Sequence, residues 1–184
     1  MILASRNIHW YVLFATHGKA AKVSNYLKRA NIEYFFPYYY KERQISNSLR
    51  IKTTLRPLIT NLVFVKSSIY SLSPHIIEIK ERFCIESELY YRDLGSRELI
   101  IVPDRQMQSF ITIASQKGER IIYLSNDEVN IEKGTKIRII GGPLEGIEGI
   151  FMRIKGDRRV VVTLTNLFSI ATAFVPLQHI LPLE

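Results

Sequence analysis

The chain has a single cysteine and no long uninterrupted run of apolar residues. Cys84 therefore cannot form an internal disulfide, which is typical of proteins in the reducing cytoplasm. No stretch approaches the roughly 18–20 apolar residues that a membrane-spanning helix requires. Met1–Arg6 holds one basic residue, and the apolar stretch of a signal peptide does not follow it. The sequence predicts a cytoplasmic, monomeric protein without a membrane contact.

The signatures of catalysis are missing as well. Four histidines are scattered without the spacing of metal ligands: His9, His17, His75 and His179. The sequence has no phosphate-binding glycine loop, no nucleophile elbow and no Cys/His cluster. We therefore expect no enzyme activity, no cofactor and no metal. The function class that remains is binding.

Acidic residues are scarce in the first third of the chain. Residues 1–66 hold 11 Lys or Arg against two acids, Glu33 and Glu42, whereas residues 67–184 hold 14 against 15. The net charge of +8 therefore belongs to the N-terminal third. This concentration is typical of a face that binds a polyanion, although a charge excess that only improves solubility is the alternative.

Apolar periodicity divides the chain before residue 116 into strands and helices. His9–Ala15 is predicted as a strand and Lys19–Asn31 as a helix with one apolar stripe. Pro37 lacks an N–H donor, so the aromatic strand Glu33–Gln44 is expected to have an edge or a bulge there. The other predicted elements are a strand at Arg50–Lys66 broken near Pro57, a helix at Ser71–Glu81, strands at Ile85–Tyr91 and Ile100–Val102, and a helix that begins after Val102.

Short alternating strands between glycines fill the last fifty or so residues. Thr135–Ile139 alternates between polar and apolar residues, as a half-buried strand does. Gly141-Gly142-Pro143 then breaks the pattern, because glycine has a free φ and proline a fixed one. Gly149–Ile154 and Arg159–Leu164 are predicted as further strands. The glycines and the run Val160-Val161-Val162 oppose a helix, so we expect a small β-barrel.

Two segments resemble a known family. Trp10-Tyr11-Val12-Leu13-Phe14 resembles the opening strand of a NusG N-terminal domain, and Lys133–Gly146 resembles a KOW motif. The resemblance extends from about Ile8 to Leu183. It is strongest to the UpxY-type NusG paralogs, which are antiterminators of long surface-polysaccharide operons, and Leu124–Phe174 carries this closer match.

The resemblance implies an α+β fold in two domains. An N-terminal antiparallel sheet sandwiched by helices, as in the NusG N-terminal domain, would precede a small SH3-like KOW β-barrel. The implied boundaries are 1–116 for the polymerase-binding domain, 117–130 for a linker and 131–184 for the barrel. In one specialised paralog the C-terminal region instead forms a helical hairpin that masks the polymerase site. The glycines predict a barrel in this chain.

The first surface that the resemblance implies binds the clamp helices of the largest RNA polymerase subunit. Its residues are Phe14, Ile59, Leu62 and Phe64, of which the last three belong to the strand that completes an apolar pocket. Leu62 and Phe64 are two residues apart, so they share one face of that strand. This chain has Ile, Thr and Leu where Phe, Pro and Tyr are usual, so we expect a less aromatic pocket. Ordinary core packing is the alternative role of Phe14 and Phe64.

The second implied surface contacts the non-template DNA strand of the transcription bubble. Its residues are His17, Lys19 and Lys22, at the start of the first helix. Lys19 and Lys22 are neighbours on the helix surface and can neutralise phosphates, while His17 can stack on or hydrogen-bond to a base. A solvated helix face is the alternative. Three cations of the following hairpin either extend this footprint or protect an exposed edge: Arg43, Arg50 and Lys52.

The third implied surface lies on the barrel. Leu167 and Phe168 match the loop and strand through which NusG proteins contact a partner. For housekeeping NusG that partner is the termination factor Rho or a ribosomal protein. Packing of Phe168 inside the barrel is the alternative.

The resemblance therefore implies a transcription elongation factor and antiterminator. It would bind RNA polymerase across the clamp and suppress pausing and termination on long surface-polysaccharide operons. The alternative is an RNA-binding KOW protein of the translation apparatus, although a ribosomal protein should carry its basic excess through the barrel. A pure adaptor without a nucleic-acid contact is a third possibility, and in it Lys19 and Lys22 would be dispensable.

Overall fold

The computed structural model describes residues 6–44, 51–57, 59–89, 98–115, 122–124, 134–154, 157–164 and 168–183. The chain forms two compact units, Met1–Val102 and Pro103–Glu184. The elements of the first unit are β1 His9–Ala15, α1 Ala20–Arg29, β2 Glu33–Phe35, β3 Tyr38–Gln44, β4 Ile51–Pro57, β5 Leu62–Ser67, α2 Ile69–Phe83, β6 Ser87–Leu89 and β7 Ile101–Val102. Those of the second are α3 Asp104–Ala114, β8 Ile122–Leu124, β9 Thr135–Ile139, β10 Glu148–Ile154, β11 Asp157–Leu164, β12 Phe168–Phe174 and β13 Ile180–Pro182.

The central strand of the first unit is β1, which is antiparallel to all of its neighbours. The sheet order is β2-β5-β1-β6. Both β6 and β7 pair with the edge of β1 that faces away from β5, β7 near the start of β1 and β6 near its end. One sheet face packs against α1 and α2 and forms a core that includes Leu13, Val63, Leu27 and Ile79. The helices supply this core because their apolar residues recur every three or four positions.

The predicted first strand and first helix are confirmed, and α2 is longer than predicted. The prediction began at Ser71, but the helix begins at Ile69. Ser68 is the N-cap, because its side-chain oxygen accepts a hydrogen bond of 3.1 Å from the backbone N–H of Ser71. Several serines lie close together here, so Ser68 alone is a weak N-cap signal. The predicted start of α2 was therefore too late in the sequence.

Of the two long strands predicted in the first unit, Glu33–Gln44 was wrong as one strand, whereas the predicted break near Pro57 in Arg50–Lys66 is confirmed. Glu33–Gln44 is divided into β2 and β3 around Pro37, which cannot donate to a strand partner. β2 pairs with β5, whereas β3 pairs with β4 in a separate two-stranded sheet. Arg50–Lys66 is divided after Pro57, where a break was expected, into β4 and β5. The β6 strand, at Ser87–Leu89, is shorter than the predicted Ile85–Tyr91, whose last two residues lie outside the described ones.

The second unit is an antiparallel sheet with one helix packed on it. Its strand order is β13-β9-β10-β11-β12-β8, and α3 packs against β11 and β12. The described residues from 134 to 183 form strands, turns and one short 3-10 helix at Leu177–His179, and none of them is in an α-helix, so the helical hairpin is not formed there. The strand order has two ends in the part that the structure describes, so a closed barrel remains a proposal. β8 lies inside the segment predicted as a linker.

Candidate functional site

The sheet register brings the predicted clamp-binding residues together. Phe14 on β1 is paired with Leu62 on β5, and Val12 is paired with Phe64. Because residues two apart share a sheet face, Phe14, Leu62 and Phe64 lie on the same face, opposite the one that packs on α1 and α2. Phe14, Leu62 and the nearby Ile59 are half-buried. We call Phe14, Ile59 and Leu62 the apolar rim.

Phe64 differs from the apolar rim in its burial. Its side chain has 0% exposure, so it offers a partner no surface in this structure. The alternation predicted the face of Phe64, and its burial agrees with the alternative of ordinary core packing. Phe64 therefore supports the strand beneath the apolar rim, while Phe14 and Leu62 are the residues that a partner can reach.

Backbone hydrogen bonds hold the loop that follows Phe14. The Ala15 N–H donates to the carbonyl of Asn61 at 2.8 Å, and the Ala20 N–H donates to the carbonyl of Thr60 at 3.2 Å. The Thr16 N–H donates to the carbonyl of Glu86 at 3.0 Å. The start of α1 is thereby fixed next to the segment that carries Ile59, so the apolar rim and the predicted DNA-binding residues share one loop system.

His17 has a backbone conformation that is rare for a residue with a side chain. Its φ is 55° and its ψ is 33°, in the left-handed region, and the next residue, Gly18, also has a positive φ of 66°. Histidine tolerates this region better than most residues, but the conformation still carries strain. The side chain of His17 is exposed. Backbone strain that persists at an exposed residue is typical of functional sites, so His17 is a candidate functional residue.

The side chains of Lys19 and Lys22 differ in exposure. The Lys22 side chain is exposed on α1, whereas Lys19 is half-buried just before the helix. The Lys19 Nζ donates to the carbonyl of Cys84 at 3.4 Å. His17, Lys19 and Lys22 thus lie within one short segment, and Lys22 also lines a groove that the sequence did not predict.

This groove lies between α1 and α2 and has a volume of about 630 Å³. We call it the α1–α2 groove. The Tyr26 hydroxyl lies in it, 2.6 Å from the Glu78 Oε2 and 2.7 Å from the His75 Nδ1. A carboxylate only accepts, so Tyr26 donates to Glu78, and the hydroxyl oxygen then accepts from the Nδ1–H of His75. The hydrogen bonds therefore determine which nitrogen of His75 carries a proton.

The same contacts shift the pKa values of Tyr26 and Glu78. Burial, with a further contribution from the hydrogen bond to Glu78, raises the pKa of Tyr26 to about 12. The hydrogen bonds from Tyr26 and then from Arg82 lower the pKa of Glu78. Tyr26 is therefore a neutral hydrogen-bond donor and Glu78 a carboxylate at neutral pH.

The α1–α2 groove combines cations with aromatic rings. Lys22, Arg29 and Arg82 line it, together with Phe83. Glu78 is the one carboxylate among its described lining residues, and the Arg82 Nη1 lies 3.2 Å from the Glu78 Oε1. The remaining positive charge suits an anion, and the rings offer apolar faces to a flat group. Sequence spacing did not indicate this site, because Tyr26 and Glu78 are 52 positions apart.

The predicted partner site of the second unit is only partly described. Leu167 lies outside the described residues, and Phe168 is the first residue of β12. Their role stays a prediction.

Metal centres and membrane-spanning helices are absent from the part of the chain that the structure describes. No cluster of three or more His, Cys, Asp or Glu side chains there could hold a metal ion. No helix among the described residues has the length and apolar character to cross a membrane.

A family model described as transcription termination factor nusG matches residues 8–130, which is about two thirds of the chain. The matched range contains the apolar rim, the residues His17, Lys19 and Lys22, and the α1–α2 groove. No curated protein matches the chain.

Proposed function

Because the chain belongs to the NusG family of transcription factors, whose members bind RNA polymerase, we propose that it is a non-enzymatic elongation factor and antiterminator. It binds across the polymerase clamp and suppresses pausing and termination, on long surface-polysaccharide operons as UpxY-type paralogs do. The observation that carries the proposal is the accessible pair Phe14–Leu62 within the range matched by the family model.

The apolar rim is the proposed contact for the clamp helices of the largest polymerase subunit. Phe14 lies between its strand partners Leu62 of β5 and Glu88 of β6 and is half-buried, so an incoming helix tip can cover its remaining surface with little loss of side-chain entropy. Aromatic residues in this position often dominate the energy of an interface. Antitermination then follows if the bound factor favours the closed clamp, since equal affinity for the open and closed states would shift nothing.

Phe14→Ala is expected to weaken polymerase binding about 30-fold. The reason is that truncating an aromatic anchor at an interface centre costs roughly 2 kcal/mol or more. The measurement is the affinity of the purified chain for core polymerase, with read-through of a terminator as the activity readout. Ile77→Ala is the matched control, because Ile77 is an exposed apolar residue on α2. Equal affinities for Phe14→Ala and the natural chain would exclude the apolar rim as the clamp contact.

The proposed contact for the non-template DNA strand consists of His17, Lys19 and Lys22. Exposed cations bind nucleic acid by releasing counterions from its phosphates. The α1–α2 groove continues from Lys22 and adds Arg29 and Arg82 together with aromatic rings. Single strands suit such a surface, since unpaired bases can stack on rings while cations follow the backbone.

The double variant Lys19→Gln, Lys22→Gln is expected to weaken single-stranded DNA binding in a salt-dependent way. Each lost phosphate contact should lower the slope of log affinity against log salt concentration by about 0.7 on a single strand, so the total change is about 1.4. The measurement is a salt titration with a fluorescent single-stranded oligonucleotide. The control, Lys28→Gln, Lys136→Gln, removes the same charge at two exposed positions. A slope that changes equally in both variants would mean that only net charge matters.

The second unit is proposed to be the KOW barrel of this factor. Its contact residues for a partner, a ribosomal protein or another factor, would be Leu167 and Phe168. The described strands β9 to β13 support this proposal, because every pairing among them is antiparallel.

A further inference from the structure

One histidine lines the α1–α2 groove and has no part in the contacts proposed so far. His75 is half-buried in the middle of α2, and its ring faces residues of α1 across the groove. Histidine is the side chain that ordinarily changes its charge between about pH 5 and about pH 8. The charge of the groove can therefore change close to neutral pH.

Hydrogen bonds determine which ring nitrogen of His75 gains the second proton. The Nδ1–H of His75 donates to the Tyr26 hydroxyl at 2.7 Å, and this hydroxyl donates to the Glu78 Oε2 at 2.6 Å. The rings of Tyr26 and His75 also meet edge to face, with centroids 5.8 Å apart. Because Nδ1 already carries a hydrogen, the second proton binds Nε2. Protonation therefore adds a positive charge without breaking the hydrogen bonds that join α1 to α2.

The charged or titratable groups that face His75 come from both walls of the groove: Lys22, Tyr26 and Arg29 of α1, and Glu78 and Arg82 of α2. Burial raises the pKa of Tyr26 to about 12, so its hydroxyl is neutral. Glu78 and Arg82 form an ion pair of 3.2 Å and largely cancel each other. Lys22 and Arg29 remain as the excess positive charge, and a protonated His75 adds a third cation beside them.

The carboxylate of Glu78 makes this third charge tolerable. It is connected to His75 through the single Tyr26 hydroxyl, and an opposite charge at short range favours the charged form of a titratable group. His75 is also only half-buried, so solvent still reaches the side chain. The groove can therefore hold two charge states with one set of hydrogen bonds.

We propose that His75 is a pH switch of the α1–α2 groove, and that its protonation strengthens the binding of single-stranded DNA there. The inference rests on the proposed single-strand contact, because a strand bound at Lys22 lies next to the groove that Lys22 also lines. One added phosphate contact raises the slope of log affinity against log salt by about 0.7 on a single strand, which is about fivefold in affinity at about 0.1 M salt. The affinity therefore rises as the pH falls.

The test is a salt titration of the full chain with fluorescent oligo-dT at about pH 7.5 and at about pH 5.5, on either side of the range in which histidine titrates. Thymine does not titrate in this range, so any change in charge belongs to the protein. The variant His75→Gln keeps a polar side chain that cannot gain the proton. We expect the ratio of the affinities at the two pH values to be about fivefold smaller in this variant than in the natural chain.

The matched control is His179→Gln, which removes a histidine of the second unit and should leave the affinity ratio unchanged. His17→Gln removes the histidine of the proposed DNA contact, and its effect on the ratio should add to that of His75→Gln. Glu78→Gln keeps an acceptor for Tyr26 but removes the negative charge. The NMR titration of the His75 ring and the increase in affinity should then both move to lower pH. Circular dichroism verifies that every variant is folded.

Three outcomes would overturn the proposal: an unchanged affinity ratio in His75→Gln, an equal decrease in His179→Gln, or a Glu78→Gln chain whose affinity rises at the same pH as that of the natural chain. The switch and the proposed function can fail separately. If Lys19→Gln, Lys22→Gln weakens binding while His75→Gln keeps the natural ratio, the switch alone is refuted. If the lysine variant binds like the natural chain while His75→Gln lowers the ratio, the predicted lysine contact is refuted and the switch is retained. A chain that binds oligo-dT at neither pH would refute both.

Discussion

Gly149→Ala is expected to destabilise the second unit by about 3 kcal/mol. Gly149 is in β10, next to the position where Ile150 is paired with Val161 of β11. A Cβ atom at Gly149 would lie 2.6 Å from the carbonyl oxygen of Val161 and 2.8 Å from the Cγ1 of Val160. Both distances are far below van der Waals contact, and one of the two atoms is backbone. The strands would have to move apart, and forcing extra atoms into a packed core typically costs 1–3 kcal/mol or more.

Urea-induced unfolding followed by circular dichroism measures this loss, and hydrogen exchange of the β10 and β11 amides localises it. Gly146→Ala is the control for the loss of a glycine as such. Gly146 has a φ of 84°, but a Cβ there would meet nothing within 4 Å. Its replacement therefore costs only the left-handed backbone strain, about 1–2 kcal/mol. If Gly149→Ala costs no more than Gly146→Ala, or leaves the exchange of β10 and β11 unchanged, the close approach does not constrain this sheet.

Local patterns in the sequence predicted those elements that pack one apolar face against a neighbouring element. The apolar run of β1 and the 3–4 spacing of α1 each describe one element packed on a neighbour, so they were placed within one or two residues of their observed bounds. The start of α2 and the division at Pro37 depended on a cap and on a missing donor. Such single-residue effects shift a boundary without changing the periodicity around it.

The candidate site could be predicted only in part, because its members come from different elements. Alternation placed Leu62 and Phe64 on one face, and the resemblance to the family joined them to Phe14. The contact of Tyr26 with His75 and Glu78 had no signal, because no local pattern links positions 49 and 52 residues apart. The sequence showed the cations of the β3–β4 hairpin, but the pairing of Arg43 with Lys52 required the register.

Phe64→Ala is expected to lower the free energy of unfolding by about 3–5 kcal/mol, the largest effect on stability expected here. Phe64 has 0% exposure and is paired with Val12 and Phe35 in the middle of the sheet. Removing its ring leaves a cavity that the two flanking strands cannot close by moving. Phe14→Ala removes the same atoms from a half-buried position, so its effect on stability should be clearly smaller.

The two alanine variants together separate packing from binding. We expect Phe64→Ala to lose stability and, where it is still folded, to bind polymerase with nearly unchanged affinity, whereas Phe14→Ala should show the reverse. Phe64→Leu is the conservative control, because it retains an apolar side chain and should recover most of the lost stability. Denaturant unfolding and polymerase affinity are measured on all three variants at a temperature where each is folded. A Phe64→Ala chain that is nearly as stable as the natural one but fails to bind polymerase would make Phe64 a contact residue that is exposed in the bound state. In that case the free chain, in which Phe64 is buried, would have the site in a closed form.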